Sequence, residues 1–214
     1  FYNIPTTFLS QVDSSIGGKT AINLQGVKNI IGAFYQPKKV LIDPEVLRTL
    51  PQRQLSSGLA ESVKMAATFD KELFEMIERG DIEENLDTVI EKSLAIKKYV
   101  VEHDEKESGL RRVLNFGHTI GHGIESCEGL HGLYHGECVA LGMLPMCSAP
   151  VRERLTHIYE KIGLPAALDF DPERVFEAVT HDKKLDGNLI HLVFVPEIGT
   201  YEMKTMTLHD FHTM

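Results

Sequence analysis

Cysteine is scarce in this chain of 214 residues: Cys127, Cys138 and Cys147 are odd in number and form no CxxC pair. That argues against a disulfide framework and against a thiolate zinc site, and makes a reducing cytoplasm the expected setting. No run of about 18 apolar residues is present to cross a bilayer, and the amino terminus lacks the basic-then-apolar layout of a signal peptide. A soluble protein with no membrane partner is therefore expected. Positive charge is in deficit as well, the formal net charge being −9. This argues against a nucleic-acid partner, and an anionic substrate would need lysines and arginines gathered locally in one cleft. No GxGxxG or equivalent triple-glycine turn occurs, and neither does an internal repeat or a low-complexity segment.

What is present is enough apolar material, 43% of residues, to bury a substantial core. Tyr2 to Thr7 reads as the end of a strand, Gly17 and Gly18 punctuate a turn, and LQGVKNIIGAFYQPKKVLID reads as a hairpin-like or extended excursion bounded by Pro37 and Pro44. From LPQRQLSSGLAESVKMAATF onward, apolar positions recur at helical spacing through DKELFEMIERG, LDTVIEKSLAIKKYVVEHDE, RVLNFGHTIGHGIESC, GECVALGMLPMCSAPVRERLTHIYEKIG and PERVFEAVTHDKK. Gly80 and Gly163 sit at expected helix stops, and Asp171-Pro172 has the N-cap then N1 arrangement of a helix start. The final NLIHLVFVPEIGTYEMKTMTL reads as two short strands around a Pro-Glu-Ile-Gly turn. The chain opens on Phe1 in what reads as a strand already under way, so the expectation is the later part of a longer protein.

The chemistry concentrates in RRVLNFGHTIGHGIE, where His118 and His122 stand four residues apart and share one helix face, with His135 following in HGE. Glu61, in GLAESVKMA, supplies a carboxylate from another helix. Two neutral imidazoles and one carboxylate that leave positions open for substrate are the ligand set of a catalytic zinc site. By residues alone, His118 and His122 read equally as two ligands of one metal, as one ligand and one substrate-facing group, or as a hydrogen-bonded core pair. Lys64, three residues from Glu61, reads either as half of a surface ion pair or as an ammonium lining the same cleft. Gly117, Gly121 and Gly123 cost roughly 0.8–1 kcal/mol each in a helix interior, which close approach of another helix or of a ligand would offset.

The blocks VDSSIGGKTAIN, GLAESVKMA, DEKESGLRRVLNFGHTIGHGIE and HGECVALGM resemble the 3-dehydroquinate synthase family in order and spacing, over nearly the whole chain. The resemblance implies a mainly α fold: a multihelical C-terminal domain over 51–214, preceded at 1–50 by the tail of an α/β Rossmann-like cofactor domain, most of which this sequence lacks. It implies that Glu61, His118 and His135 bind Zn²⁺ (or Co²⁺) and that His122, with Lys64 and Glu107, positions and exchanges protons. Lys97 and Arg111 match carboxylate-binding residues, while Lys19, Asn29 and Asn115 match other substrate contacts. Either Lys183 or Lys184 reaches the phosphate, Lys184 being carried as the candidate. Thr6, Thr7, Asp13, Lys19, Lys28 and Thr49 fall where the family touches NAD.

The implied activity is that of a lyase acting on a sugar acid phosphate. An acyclic seven-carbon keto-sugar acid phosphate, 3-deoxy-D-arabino-heptulosonate 7-phosphate, is converted to 3-dehydroquinate and phosphate in the shikimate route to aromatic amino acids, with NAD used catalytically, in a homodimer. Three alternatives stand beside it. They are another sugar-phosphate cyclase making an inosose or valiolone ring, a metal-dependent polyol dehydrogenase that releases NADH, and a metal-binding helical fragment without turnover.

Overall fold

The computed structural model describes residues 1–24, 27–82, 84–128, 132–167, 171–180 and 187–213, without the side chains at 23, 27–30 and 128. The first fifty residues carry four strands and the rest is dominated by helices, as the periodicity predicts. Strands β1 (Tyr2–Asn3) and β4 (Lys39–Val40) pair in parallel, Tyr2 opposite Lys39. The expected strand at Tyr2 to Thr7 is thus only two residues long, because Thr7 instead accepts a hydrogen bond from Ser10 N (3.2 Å) to open a π-helical turn, Ser10–Ser14. Strands β2 (Lys19–Leu24) and β3 (Val27–Phe34) form the antiparallel hairpin, which begins five residues earlier than the sequence pattern suggests. Ile22, Leu24, Ile31 and Phe34 of this hairpin are exposed.

After a 3-10 turn at Pro44–Thr49, helix α1 (Gln52–Phe69) runs through the middle of the helical part. Every residue from Ser56 to Thr68 is buried, so the helix has no solvent face. It packs against α2 (Lys71–Arg79), α3 (Leu86–His103) and α5 (His135–Met143). A helix enclosed on all sides is ordinarily apolar all round. This one instead buries Ser56, Ser57, Glu61, Ser62, Lys64 and Thr68. Buried polar groups require partners. The Ser56 hydroxyl donates to Gln52 O (3.0 Å), Thr68 donates to Lys64 O (2.9 Å), and Ser62 meets Ser93 of α3 at 2.9 Å. Glu61 and Lys64 pair with each other.

Helices α4 (His118–Glu128), α6 (Ala149–Ile162) and α7 (Pro172–Thr180) complete the layer around α1 and α5. Fully buried Tyr159 of α6 donates its hydroxyl to Ala140 O of α5 at 3.1 Å. Strands β5 (Leu189–Phe194) and β6 (Glu202–Thr207) form the expected C-terminal hairpin, and α8 (Leu208–His212) ends the described chain. Gly80 and Gly163 are left-handed C-caps, and Glu173 N donates to the Asp171 carboxylate (3.0 Å) at the start of α7.

Two stretches that read as continuous helices are broken. RVLNFGHTIGHGIESC becomes a 3-10 turn, Leu110–Asn115, then Phe116 and Gly117, then α4. Gly117 has φ +76°, and a Cβ there would lie 2.7 Å from Val139 O of α5, so the approach of α5 sets the break. GECVALGMLPMCSAPVRERLTHIYEKIG breaks after Met143 into a 3-10 turn at Leu144–Met146. There the backbone leaves the helix to pair in an isolated bridge with Val195, just past the end of β5, Val195 N donating to Met146 O (3.0 Å) and Ser148 N to Val195 O (3.1 Å).

Candidate functional site

Three helices bring three ligand atoms together. Glu61 comes from the middle of α1, whereas His118 and His135 are the first residues of α4 and α5. Glu61 Oε1 lies 3.6 Å from His118 Nε2 and 3.6 Å from His135 Nε2. Its other oxygen meets the Lys64 ammonium, and both of these side chains are buried. Oε1 itself is buried and, among the described residues, accepts no hydrogen bond. An orphaned carboxylate oxygen in a closed interior is costly unless something cationic satisfies it. Tetrahedral zinc with bonds of about 2.0–2.1 Å sets its ligand atoms about 3.3–3.4 Å apart. The spacing and donor set of this constellation therefore fit a divalent metal.

Each imidazole is oriented from its far side. His118 Nδ1 is 3.2 Å from Phe116 O, and His135 Nδ1 is 3.4 Å from the Glu125 carboxylate. A hydrogen bond at Nδ1 fixes the tautomer that presents Nε2 as the lone-pair donor. Burial opposes ionisation of Glu61, but the Lys64 charge and the two histidines hold its carboxyl well below the usual range. Burial, with the Lys64 charge, keeps the His118 imidazole well below its ordinary pKa and so neutral. Burial also acts against charge on His135, yet its contacts with Glu125 and Glu61 outweigh this and raise it to about 9, so a metal bound at its Nε2 would displace a proton.

His122 stands one turn along α4, its ring 5.3 Å from that of His118 and 5.8 Å from that of His135. Among the described residues, it joins Glu125 and His135 in a second group with metal-ligand spacing. The Glu61 group is the better candidate, since it holds the orphaned, fully enclosed oxygen. Sequence reasoning missed Glu125. Its signal is helical spacing, at i+3 from His122 and i+7 from His118, which sets it on their face.

The remaining candidates fall into two further groups. Lys19 and Asn115 converge on Glu107, Asn115 Nδ2 donating at 2.6 Å and Lys19 forming an ion pair. Glu107 has φ +63°, rare for a residue other than glycine. Lys97 of α3 pairs with Asp13 of the π-helical turn. Arg111, buried, spends two of its donors on backbone carbonyls, Glu105 O at 2.6 Å and Gly17 O at 3.2 Å. It thereby ties the glycine turn before β2 to the loop after α3. That loop is organised by Asp104, a residue the sequence did not single out, which accepts from Ser108 N (2.8 Å), Gly109 N (2.7 Å) and Arg111 N (2.9 Å). Lys19 also lines an open cavity of about 650 Å³ beneath the hairpin, beside Phe1, Asn3 and Gly18. Thr6 and Thr49 are exposed. The side chains of Lys28 and Asn29, and all of Lys183 and Lys184, lie outside the described residues.

A helical domain with this buried carboxylate and two histidines, joined to a short parallel strand pair, has the fold of the sugar-phosphate cyclases. The structure of 2-epi-5-epi-valiolone synthase from Streptomyces hygroscopicus subsp. jinggangensis, solved with NAD+ and Zn2+ bound, superposes with a TM-score of 0.88 at 26% identity. It covers 100% of this chain and 64% of that one. A 2-deoxy-scyllo-inosose synthase superposes with a TM-score of 0.75 at 25% identity, over 100% of this chain and 64% of that one. Sequence narrows the class. The description "3-dehydroquinate synthase N-terminal" matches residues 1–57 and "3-dehydroquinate synthase C-terminal" matches 58–185. The chain belongs to the 3-dehydroquinate synthase family. It is 43% identical to the 3-dehydroquinate synthase of Streptococcus sanguinis over 98% of its own length, and 44% identical to that of Citrifermentans bemidjiense over 97%. It spans 63% and 62% of the length of those two relatives.

Proposed function

We propose that this chain is the metal- and substrate-binding part of a 3-dehydroquinate synthase, acting on 3-deoxy-D-arabino-heptulosonate 7-phosphate. The observation that carries the reading is the buried, unsatisfied Oε1 of Glu61 facing two oriented imidazole nitrogens at 3.6 Å. The higher identity to 3-dehydroquinate synthases than to the valiolone and inosose cyclases favours this substrate among the cyclizations. The NAD+ and Zn2+ of the solved valiolone synthase support the same cofactors here.

Glu61, His118 and His135 hold the divalent ion. When bound, Zn²⁺ or Co²⁺ would supply Lewis-acid polarisation of the substrate alcohol, and NAD would supply hydride chemistry. Lys64 neutralises the inward oxygen of Glu61, so the carboxylate stays ionised without drawing water into the helix core. His122, on the same face of α4 as His118, takes and returns protons as the substrate eliminates phosphate and closes its ring. Arg111 and Lys97 hold the substrate carboxylate, each turning to it from a partner it already has, the Gly17 and Glu105 carbonyls and Asp13 respectively. Lys19 and Asn115, gathered by Glu107, orient the chain's hydroxyls; the family resemblance assigns Asn29 to the same contacts and Lys183 or Lys184 to the phosphate. The family resemblance assigns Thr6, Thr7, Asp13, Lys28 and Thr49 to the nucleotide. Fixing both ends of a flexible acyclic substrate raises the effective concentration of its reacting ends. The protein works as a cytoplasmic homodimer.

A zinc titration of the chain, followed by phosphate release from the keto-sugar acid phosphate with NAD and Zn²⁺, tests this. Zinc uptake abolished by Glu61→Ala, with NAD-dependent release, is the expected result. Uptake without release would make this a metal-bearing fragment of a divided site, and no uptake would overturn the reading.

A further inference from the structure

His135 reaches the metal constellation from the first residue of a helix, where the backbone is held only by what caps it. The cap here comes from α1. Arg53 forks onto the Glu137 carboxylate, Nε to Oε1 and Nη2 to Oε2 both at 2.7 Å, and Nη2 also donates to Gly132 O at 2.9 Å. Its guanidinium lies 4.3 Å above the Tyr134 ring. Glu137, buried, accepts in turn from Tyr134 N at 2.7 Å, which caps the start of the helix beside His135. One turn further along α1, Ser57 Oγ accepts from Gly136 N at 3.1 Å. One more turn along is Glu61, whose Oε1 faces His135 Nε2. Arg53, Ser57 and Glu61 are spaced i, i+4, i+8 and so form a single stripe on α1. Residues 134, 136, 137 and the ring of 135 are thus all gripped from that one stripe.

We infer that the Arg53–Glu137 fork is a positioning device for the metal site: it sets where His135 stands relative to Glu61, and through that distance it sets metal affinity. The inference rests on the metal reading proposed above. Arg53 touches neither metal nor substrate and is a positioning residue. A bidentate arginine–carboxylate pair carries geometric information that a single point charge does not. A lysine at position 53 keeps the charge and loses the fork.

The molecule contains its own control. Arg154 of α6 forks onto Glu78 of α2 at 2.7 and 2.6 Å and lies 4.9 Å over the Phe74 ring, which reproduces the chemistry of the Arg53 fork between helices that carry no candidate ligand. Zn²⁺ affinity and the Co²⁺ visible spectrum would be measured for the unaltered chain, Arg53→Met, Arg53→Lys, Glu137→Gln and Arg154→Met, with the thermal midpoint of each metal-free form. Arg53→Met is expected to weaken Zn²⁺ binding about 10- to 100-fold, the usual cost of losing an outer-shell partner, and to alter the Co²⁺ bands. Glu137→Gln should move both in the same direction, and Arg53→Lys should recover only part of the affinity. Arg154→Met should lower the metal-free midpoint while leaving affinity and spectrum as they were. Arg53 and Arg154 variants with equal Zn²⁺ affinity would overturn this inference and leave the metal site standing. An unaltered chain that takes up no Zn²⁺ would overturn both.

Discussion

Glu61 and His135 face each other at 3.6 Å across the junction of α1 and α5, and among the described residues the carboxylate oxygen involved accepts no hydrogen bond. The same oxygen is 3.6 Å from His118. Glu61 is thus satisfied on one side only, by Lys64. This half-satisfied state makes metal binding and stability two readings of one site.

Removing Lys64 should expose that coupling. Loss of one partner from a buried ion pair ordinarily costs about 3–5 kcal/mol, because the other charge is left uncompensated. Lys64→Met is therefore expected to destabilise the metal-free chain by about that much. Zn²⁺ should restore most of the loss, since binding to the folded state alone stabilises it. Chemical denaturation with and without Zn²⁺ measures this, and equal losses in both conditions would argue against a shared site.

His122→Ala should separate metal binding from turnover. General acid–base groups contribute about 10²- to 10⁴-fold, so phosphate release should fall within that range at unchanged zinc stoichiometry. Metal analysis beside the rate assay checks both halves.

Gly136→Ala should disturb the site through packing alone. A Cβ at this position would lie 1.8 Å from Ser57 O, so α5 must withdraw from α1. A loss of about 1–3 kcal/mol is expected from such overpacking, together with weakened zinc binding, as read by thermal unfolding and titration. Gly187→Ala has open space for its Cβ but is strained at φ +65°, so it serves as the comparison for zinc binding and not for stability.

Asp104 predicts the acid limb of the stability curve. Hydrogen bonds from the backbone N–H of Arg111 first, then of Gly109 and Ser108, outweigh burial and hold its carboxyl well below its ordinary 3.8. A depressed carboxyl contributes stability that is complete above the unfolded pKa and is lost as pH falls below it. Asp104→Asn should therefore be less stable than the parent at neutral pH. The gap should close as pH falls from about 4, which equilibrium unfolding at stepped pH measures.

Local chemistry made much of the fold legible in advance. Gly80 and Gly163 end helices, Asp171-Pro172 begins one, and the hairpins at both ends follow from alternation and turn residues. The family blocks pointed to Glu61, His118 and His135 before any geometry was known. The break at Gly117 was not legible, because the apolar spacing runs through it and the cause, the backbone of α5, lies more than twenty residues away. Lys97, beside Lys98 and ahead of an acidic run, has by sequence alone the pattern of a solvated helix face, whereas it is buried against Asp13, 84 positions earlier. Arg53 carried no signal, since its partner Glu137 is also 84 positions distant and no periodicity links them.

The metal site proposed above uses one carboxylate and two imidazoles, not three imidazoles. X-ray absorption at the zinc edge of the metal-loaded chain tests it most directly. Two imidazole ligands and an oxygen-bound carboxylate at about 2.0–2.2 Å are expected, with the Glu61→Ala chain unable to load. Three imidazoles around the metal would enlist His122 as a ligand and overturn the assignment of Glu61.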